Sequence, residues 1–283
     1  MTPLPLRHVL QLRSTLALLL ATAPLTTTVV NMVPDYEVKL LLSPAAVLGA
    51  DKKLTPTVRS VFDMRKSVTK MNVQFLDTDD RDIYNAGWSP RIRKTEGDDD
   101  FELTYKKRYP VTAGDIDAAL TTAGAGGFDA TETSYAAQVE WGFRNQTLSL
   151  SHKKSASGAG HSGMDLPGLD KSRAFLKDNA PGKFDGWQGR HWGTGMLGHS
   201  RVYGPVLARR WVGKWAGLEV YIEVWPIRDA ARTGIEYVVE ASFKTPSHAT
   251  AAAKQAEFVV FLGGKEWLLA QDSLKTQLIM DRY

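Results

Sequence analysis

Asp35-Tyr36-Glu37-Val38-Lys39-Leu40 is the stretch on which the reading of this chain turns. Successive side chains of an extended strand point to opposite faces. Asp35, Glu37 and Lys39 therefore share one face, and Tyr36, Val38 and Leu40 the other. Taken alone, such a segment is an edge strand with a solvated charged face. Repeated around a sheet, the same pattern lines a polar cavity.

The pattern does repeat. In Trp88–Arg93, Arg91 and Arg93 share a face opposite Trp88, Pro90 and Ile92. In Phe101–Arg108, Glu102, Thr104, Lys106 and Arg108 oppose Phe101, Leu103 and Tyr105. Ala137–Phe143 sets Gln138 and Glu140 against Val139 and Trp141. Leu218–Trp225 and Ile235–Phe243 carry Glu219, Glu223, Glu236 and Glu240 between apolar residues. With Met71–Leu76, Thr147–His152 and Tyr203–Trp211, nine such segments can be named, and the expected sheet has about eight strands. Their connections are turns or short helices, so the sheet should be mainly antiparallel.

Ser43-Pro44 and Thr55-Pro56 each read as a capping residue followed by proline at the first helical position. A helix over 114–123 is stopped by Gly-Ala-Gly-Gly at 124–127, which is the wrong place for a phosphate loop. Lys171–Asp178 is a helix inside a loop-rich insertion at about 153–200, and Ala249–Leu262 and Glu266–Met280 are read as two C-terminal helices. Helices with apolar stripes need a surface, and the apolar strand faces supply it. The charged faces then point into a closed or nearly closed tunnel, where they must pair or bind something ionic. An open sheet with one solvated face gives the same alternation, so pattern alone does not choose. The expected fold class is α+β: an eight-stranded, mainly antiparallel β tunnel with a charged lumen and helices outside.

The composition of the inner face sharpens the chemistry. It offers carboxylates at Asp35, Glu37, Glu219, Glu223, Glu236 and Glu240, and cations at Lys39, Arg91, Arg93, Lys106 and either Arg209 or Arg210. Carboxylates suit Mg²⁺ or Mn²⁺, and arginine and lysine clamp phosphoryl oxygens. One lumen holding both is equipped for metal-assisted chemistry on a polyphosphate.

The remaining numbers bound the alternatives. The chain has 283 residues, 43% hydrophobic and 23% charged, with net charge +4 and no cysteine. Disulfides, thiolate metal sites and cysteine nucleophiles are excluded, and no basic block demands nucleic acid. His191 and His199 match no metal-ligand spacing. Residues 1–31 form a leader: Arg7 and Arg13 precede the apolar run Leu16–Ala21, and no acid occurs before Asp35. That fits a secretory signal peptide and is short for a stable membrane span. The sequon Asn145-Gln146-Thr147 points the same way. A mitochondrial presequence, or an extension preceding a cytoplasmic start at Met32, are the alternatives. Residues 32–283 are expected to form one domain.

Read together, these segments resemble the CYTH superfamily, the triphosphate tunnel metalloenzymes. Asp35-x-Glu37-x-Lys39 resembles its Glu-x-Glu-x-Lys signature, with Asp in place of the first Glu. Phe75-Leu76-Asp77-Thr78 is similar to its aromatic-x-Asp-Thr segment, Arg91-Ile92-Arg93 to its Leu-Arg-Ile-Arg strand with Pro90 replacing Leu, and Leu103-Thr104-Tyr105-Lys106 to its Leu-Thr-x-Lys strand. The late Glu-x-Glu is not intact, since Val238 stands two residues before Glu240. The resemblance implies a hydrolase of a triphosphate-containing small molecule, such as inorganic triphosphate or a nucleoside or thiamine triphosphate. It implies Mg²⁺ or Mn²⁺ held by Glu37, Glu223 and Glu240 with Asp35 assisting. Lys39, Arg91, Arg93, Lys106, Arg209 or Arg210, and Lys275 on the last helix would bind phosphate, with Glu37, Lys39 and Arg91 at the reacting centre. A tunnel that binds an anionic ligand without turning it over is the alternative.

Overall fold

The computed structural model describes Met1 and residues 30–283, so the leader at 1–31 lies almost wholly outside the described residues. Nine strands are formed: β1 Asp35–Leu42, β2 Thr69–Asp77, β3 Trp88–Thr95, β4 Phe101–Val111, β5 Ala136–Trp141, β6 Gln146–Ala156, β7 Arg201–Trp215, β8 Leu218–Arg228 and β9 Ile235–Thr245. They close into one barrel in the order β1-β5-β6-β4-β3-β2-β7-β8-β9. The tunnel thus has nine strands where about eight were expected. Every pairing is antiparallel except β1 with β5, where Glu37 stands beside Glu140 in parallel register. Closure leaves no sheet edge to be blunted.

Alternation decides what faces in. Val38, Leu40 and Leu42 are at most 1% exposed on the outer face of β1, while Asp35, Glu37 and Lys39 line the lumen. The outer apolar faces are covered by helices: α1 Pro44–Val47, α2 Pro56–Val61, α3 Asp82–Asn85, α4 Ile116–Ala125, α5 Leu169–Asp178, α6 Gly182–Asp185, α7 Trp192–Gly198 and α8 His248–Gly264. Phe258 of α8 packs with Phe62, Trp215 and Phe243 in an aromatic cluster over β9. None of the helices among the described residues is long and apolar enough to cross a membrane.

The loop-rich insertion is more ordered than its composition implies. Its three helices, α5, α6 and α7, bury Leu176, Phe184 and Leu197 completely, and Phe184 packs edge-on against Trp88 of β3. Single anchoring side chains, not a periodic stripe, hold it down. Pro90 lies past the last β2–β3 pair, Phe75 with Arg91, so its missing N–H breaks no ladder on that side.

The second C-terminal helix is shorter than the apolar spacing predicts. Only α9, Lys275–Arg282, is helical, and the segment before it is a strap. The Trp267 carbonyl accepts from the Ser43 amide, and Leu268 bridges Leu42. Asp272 accepts backbone N–H groups of Phe143, Arg144 and Asn145. These tertiary bonds outweigh local helix propensity. The strap delivers α9 to one end of the barrel. There Ile279 and Met280 join Met71, Val73, Phe75, Val206, Ala208, Trp225, Ile227 and Val238 in a luminal apolar cluster. This cluster packs into the lumen, and Met71, Val73, Phe75, Trp225 and Ile279 also line the cavity that remains beside the charged residues.

Candidate active site

The luminal cavity measures about 330 Å³, within the range of small-molecule sites. Lys39, Arg91, Arg93, Lys106, Arg108, Lys153, Arg210, Lys244 and Lys275 line it, against the carboxylates of Asp35, Glu37, Glu140, Glu223 and Glu240. Glu102 adds a sixth carboxylate between Arg91, Arg93 and Lys153. The wall therefore carries about three more positive than negative charges.

Three carboxylate nodes organise these cations. Glu140, 3% exposed, accepts from Lys39 at 2.5 Å and from Lys106 at 2.7 Å, with Arg108 at 4.0 Å. Ser149 completes its shell at 2.9 Å. Burial alone would raise the Glu140 carboxyl, but Lys106, Lys39 and Arg108 hold it well below the usual carboxylate range. Glu102 accepts from Arg91 at 2.9 Å and Arg93 at 2.8 Å. Against the effect of burial, the two guanidinium groups and Lys153 hold it at about 2. At the third node Glu223 accepts Arg210 at 2.6 Å, Trp225 Nε1 at 2.9 Å and Lys275 at 2.6 Å.

The lysines respond unequally. Burial, with Arg108 and Lys39 alongside, pulls the Lys106 ammonium down to about 8 in spite of Glu140. For Lys39 burial pulls down too, but Glu140, Glu240 and Glu37 together carry it above its ordinary value. Burial and the neighbouring Arg93 lower Arg91 to about 10. The Nε atoms of Arg91, Arg93 and Arg108 are buried and make no hydrogen bond. Guanidinium groups lining a cavity this cationic are suited to a multiply charged oxyanion.

Most of the residues singled out in the sequence meet here: Asp35, Glu37, Lys39, Arg91, Arg93, Lys106, Arg210, Glu223, Glu240 and Lys275 all line the one cavity. Arg209 does not. Strand alternation gives the inward position to Arg210, leaving Arg209 on the outer face beside Lys70 of β2. Glu219 and Glu236 fall outside the polar cavity as well. The first accepts from the Tyr221 hydroxyl and sits 3.6 Å from Arg65, and the second pairs with Arg282 at 2.7 Å. Glu140, Glu102 and Arg108 were not among the proposed site residues. Yet the alternation of their strands had already put Glu140 beside Gln138, and Glu102 and Arg108 on the face of Lys106.

The four acids assigned to metal divide into two pairs. Asp35 is exposed at the mouth, and among the described residues Glu37 pairs with Lys244 alone, at 3.9 Å. Their oxygens remain available, as Mg²⁺ requires when it binds through one or two carboxylates and substrate phosphate. Glu223 and Glu240, directly opposite each other across β8 and β9, are bridged by Lys275 at 2.6 and 2.7 Å. Among the described residues no three His, Cys, Asp or Glu side chains gather as a ligand set. Asp35 and Glu37 fit a divalent cation brought with a phosphate; Glu223 and Glu240 do not.

No protein-family model matches the sequence, and no curated protein does. Solved structures do match. One from Hippeastrum, named for adenylyl cyclase and for a dominant triphosphatase activity, covers 86% of this chain and 93% of its own, with 13% identity and a TM-score of 0.50. Another from Bacillus halodurans, named for adenylate cyclase, covers 86% and 96% with 12% identity and a TM-score of 0.46. At these identities the likeness is one of fold. The chain has the fold of a closed β tunnel with helices outside, similar to that of the Hippeastrum structure.

Proposed function

We propose that the protein is a phosphohydrolase that binds the triphosphate of a small molecule inside the tunnel and releases its terminal phosphate. The observation that carries this is the cationic surplus of the lumen, gathered around Glu140 and Glu102 with three cations each. A triphosphate replaces the missing negative charge. Arg91, Arg93 and Arg108 offer fork-shaped donors to its oxygens, and Lys39 and Lys106 offer point charges. The dominant triphosphatase activity named for the Hippeastrum structure is in keeping with this.

In this reading water attacks the terminal phosphorus, the bond to the bridging oxygen breaks, and diphosphate leaves with the bonding pair. Phosphoryl transfer demands mainly positioning and neutralisation of charge on the equatorial and leaving oxygens. Arg91 and Arg93 do this from one wall and Lys39 and Lys106 from the adjoining one. Glu37, the least neutralised buried-side carboxylate, orients the water and with Asp35 would hold Mg²⁺ or Mn²⁺. That ion, when bound, would supply polarisation of the terminal phosphoryl group.

A second reading is binding without turnover. It is favoured by Glu140 and Glu223, whose carboxyls are held far below the range of a proton acceptor at neutral pH. Phosphate release from inorganic triphosphate, ATP and thiamine triphosphate with Mg²⁺ or Mn²⁺ separates the two. Hydrolysis by the wild type that Glu37→Gln lowers at least tenfold supports the enzyme. No release from any of the three removes it and leaves the binding tunnel.

A further inference from the structure

Glu223 and Glu240 pose an electrostatic problem that the chain solves internally. They are cross-strand neighbours, 6% and 5% exposed, and like charges directly opposite one another destabilise a sheet. Arg210 occupies Oε1 of Glu223 only. The facing oxygens, Oε2 of Glu223 and Oε1 of Glu240, share the Lys275 ammonium, and the Trp225 indole N–H donates to the same Oε2 of Glu223. The indole of Trp225 lies beneath that ammonium, 4.8 Å from Nζ to the ring centroid. Two carboxylate oxygens converging on one point in a buried pocket make a divalent-cation seat, and a lysine is in it.

Lys275 is also hard to dislodge. It is the first residue of α9, and the same helix buries Ile279 and Met280 in the luminal apolar cluster. Withdrawing the ammonium strands two buried carboxylates and pulls on a packed helix. A hydrated ion from solvent must overcome both.

We infer that Lys275 is the resident cation of the tunnel: it fills the seat between Glu223 and Glu240, so this carboxylate pair takes no divalent metal in the native protein. Whatever metal the protein takes binds elsewhere, at the Asp35–Glu37 side. The lysine keeps this carboxylate pair neutralised independently of metal supply. It also makes the C-terminal helix part of the site instead of a mere plug.

The inference concerns the empty tunnel, so its test uses no phosphate and stands apart from the triphosphate reading. Mn²⁺ bound per chain is counted by the loss of the free-ion EPR signal for the full chain and three variants. Glu240→Gln in the otherwise native protein is expected to leave the Mn²⁺ count unchanged. Lys275→Ala is expected to gain one Mn²⁺ per chain, and Lys275→Ala combined with Glu240→Gln to lose that gain. The melting temperature should move in parallel, with Mn²⁺ raising that of Lys275→Ala by about 5 °C more than that of the wild type. A wild-type Mn²⁺ site abolished by Glu240→Gln overturns the inference, as does a folded Lys275→Ala that gains none. If Lys275→Ala does not fold, Lys275→Met carries the same comparison, and the Glu240→Gln arm decides by itself.

Discussion

The side chains that matter most work as triplets of cations around a carboxylate, and this sets what single substitutions do. Arg91 gives one N–H to Glu102 and another to Thr104 at 3.0 Å, yet its Nε is unused. Removing it leaves Glu102 with Arg93 and Lys153, so the fold should tolerate the change. A charge-assisted bond contributes about 1.5–3 kcal/mol, so Arg91→Ala should weaken triphosphate binding about 10- to 100-fold, as read by calorimetric titration. Glu140→Gln is the opposite case. It strands Lys39 and Lys106, both largely buried, and should cost about 3 kcal/mol of stability. Inorganic triphosphate should restore much of the lost melting temperature by supplying the missing charge, and a variant indifferent to triphosphate would argue against the assignment of this node.

Among the elements, α9 joins the charged and apolar sides of the lumen: Lys275 bridges Glu223 and Glu240, and Ile279 packs in the apolar cluster while lining the same cavity. Ile279→Ala should cost about 2–5 kcal/mol and raise amide hydrogen exchange in α9 before the barrel opens; uniform exchange through helix and barrel would show that α9 is not a separable lid. The strands were legible because a period of two places every side chain once the strand is known. Asp35, Glu37 and Lys39, Arg91 and Arg93, and Lys106 came out on the charged face of their strands by that rule, and the helices' need for the apolar faces turned that face inward. What alternation does not supply is partnership. Lys39 and Glu140 are 101 residues apart, and their contact depends on the parallel β1–β5 pairing. Arg209 and Arg210 were indistinguishable because adjacent cations on one strand differ only by register, and β7 meets β2 across a register shift between Val73 and Phe75. The end of the chain was misread for a related reason. Its apolar spacing is compatible with a helix from Glu266, but Leu268 and Asp272 are claimed by β1 and by the β5–β6 turn.

For the molecule as a whole, the tunnel is a closed shell whose interior charge is tuned by pH at both ends of the scale. Glu102 has a folded value of about 2 against an ordinary 4.5, and Glu140 and Glu223 are lowered likewise. Their stabilisation is fully present above pH about 4.5 and is lost as the pH falls towards about 2. Melting temperature followed from pH 6 to pH 2 should therefore drop steeply below about 4.5, and a flat profile would contradict the buried nodes. At the alkaline end Lys106, at about 8, loses its charge first among the luminal cations with a resolved value. Anion affinity should fall as the pH rises through about 8, and binding above that pH should take up a proton. In the proposed function this cationic shell receives a triphosphate. Calorimetric titration of inorganic triphosphate into the wild-type chain at pH 7, with and without Mg²⁺, tests it most directly. One site per chain is expected, lost or weakened at least tenfold in Arg91→Ala; a wild type that binds no triphosphate under either condition would show that the lumen serves something else.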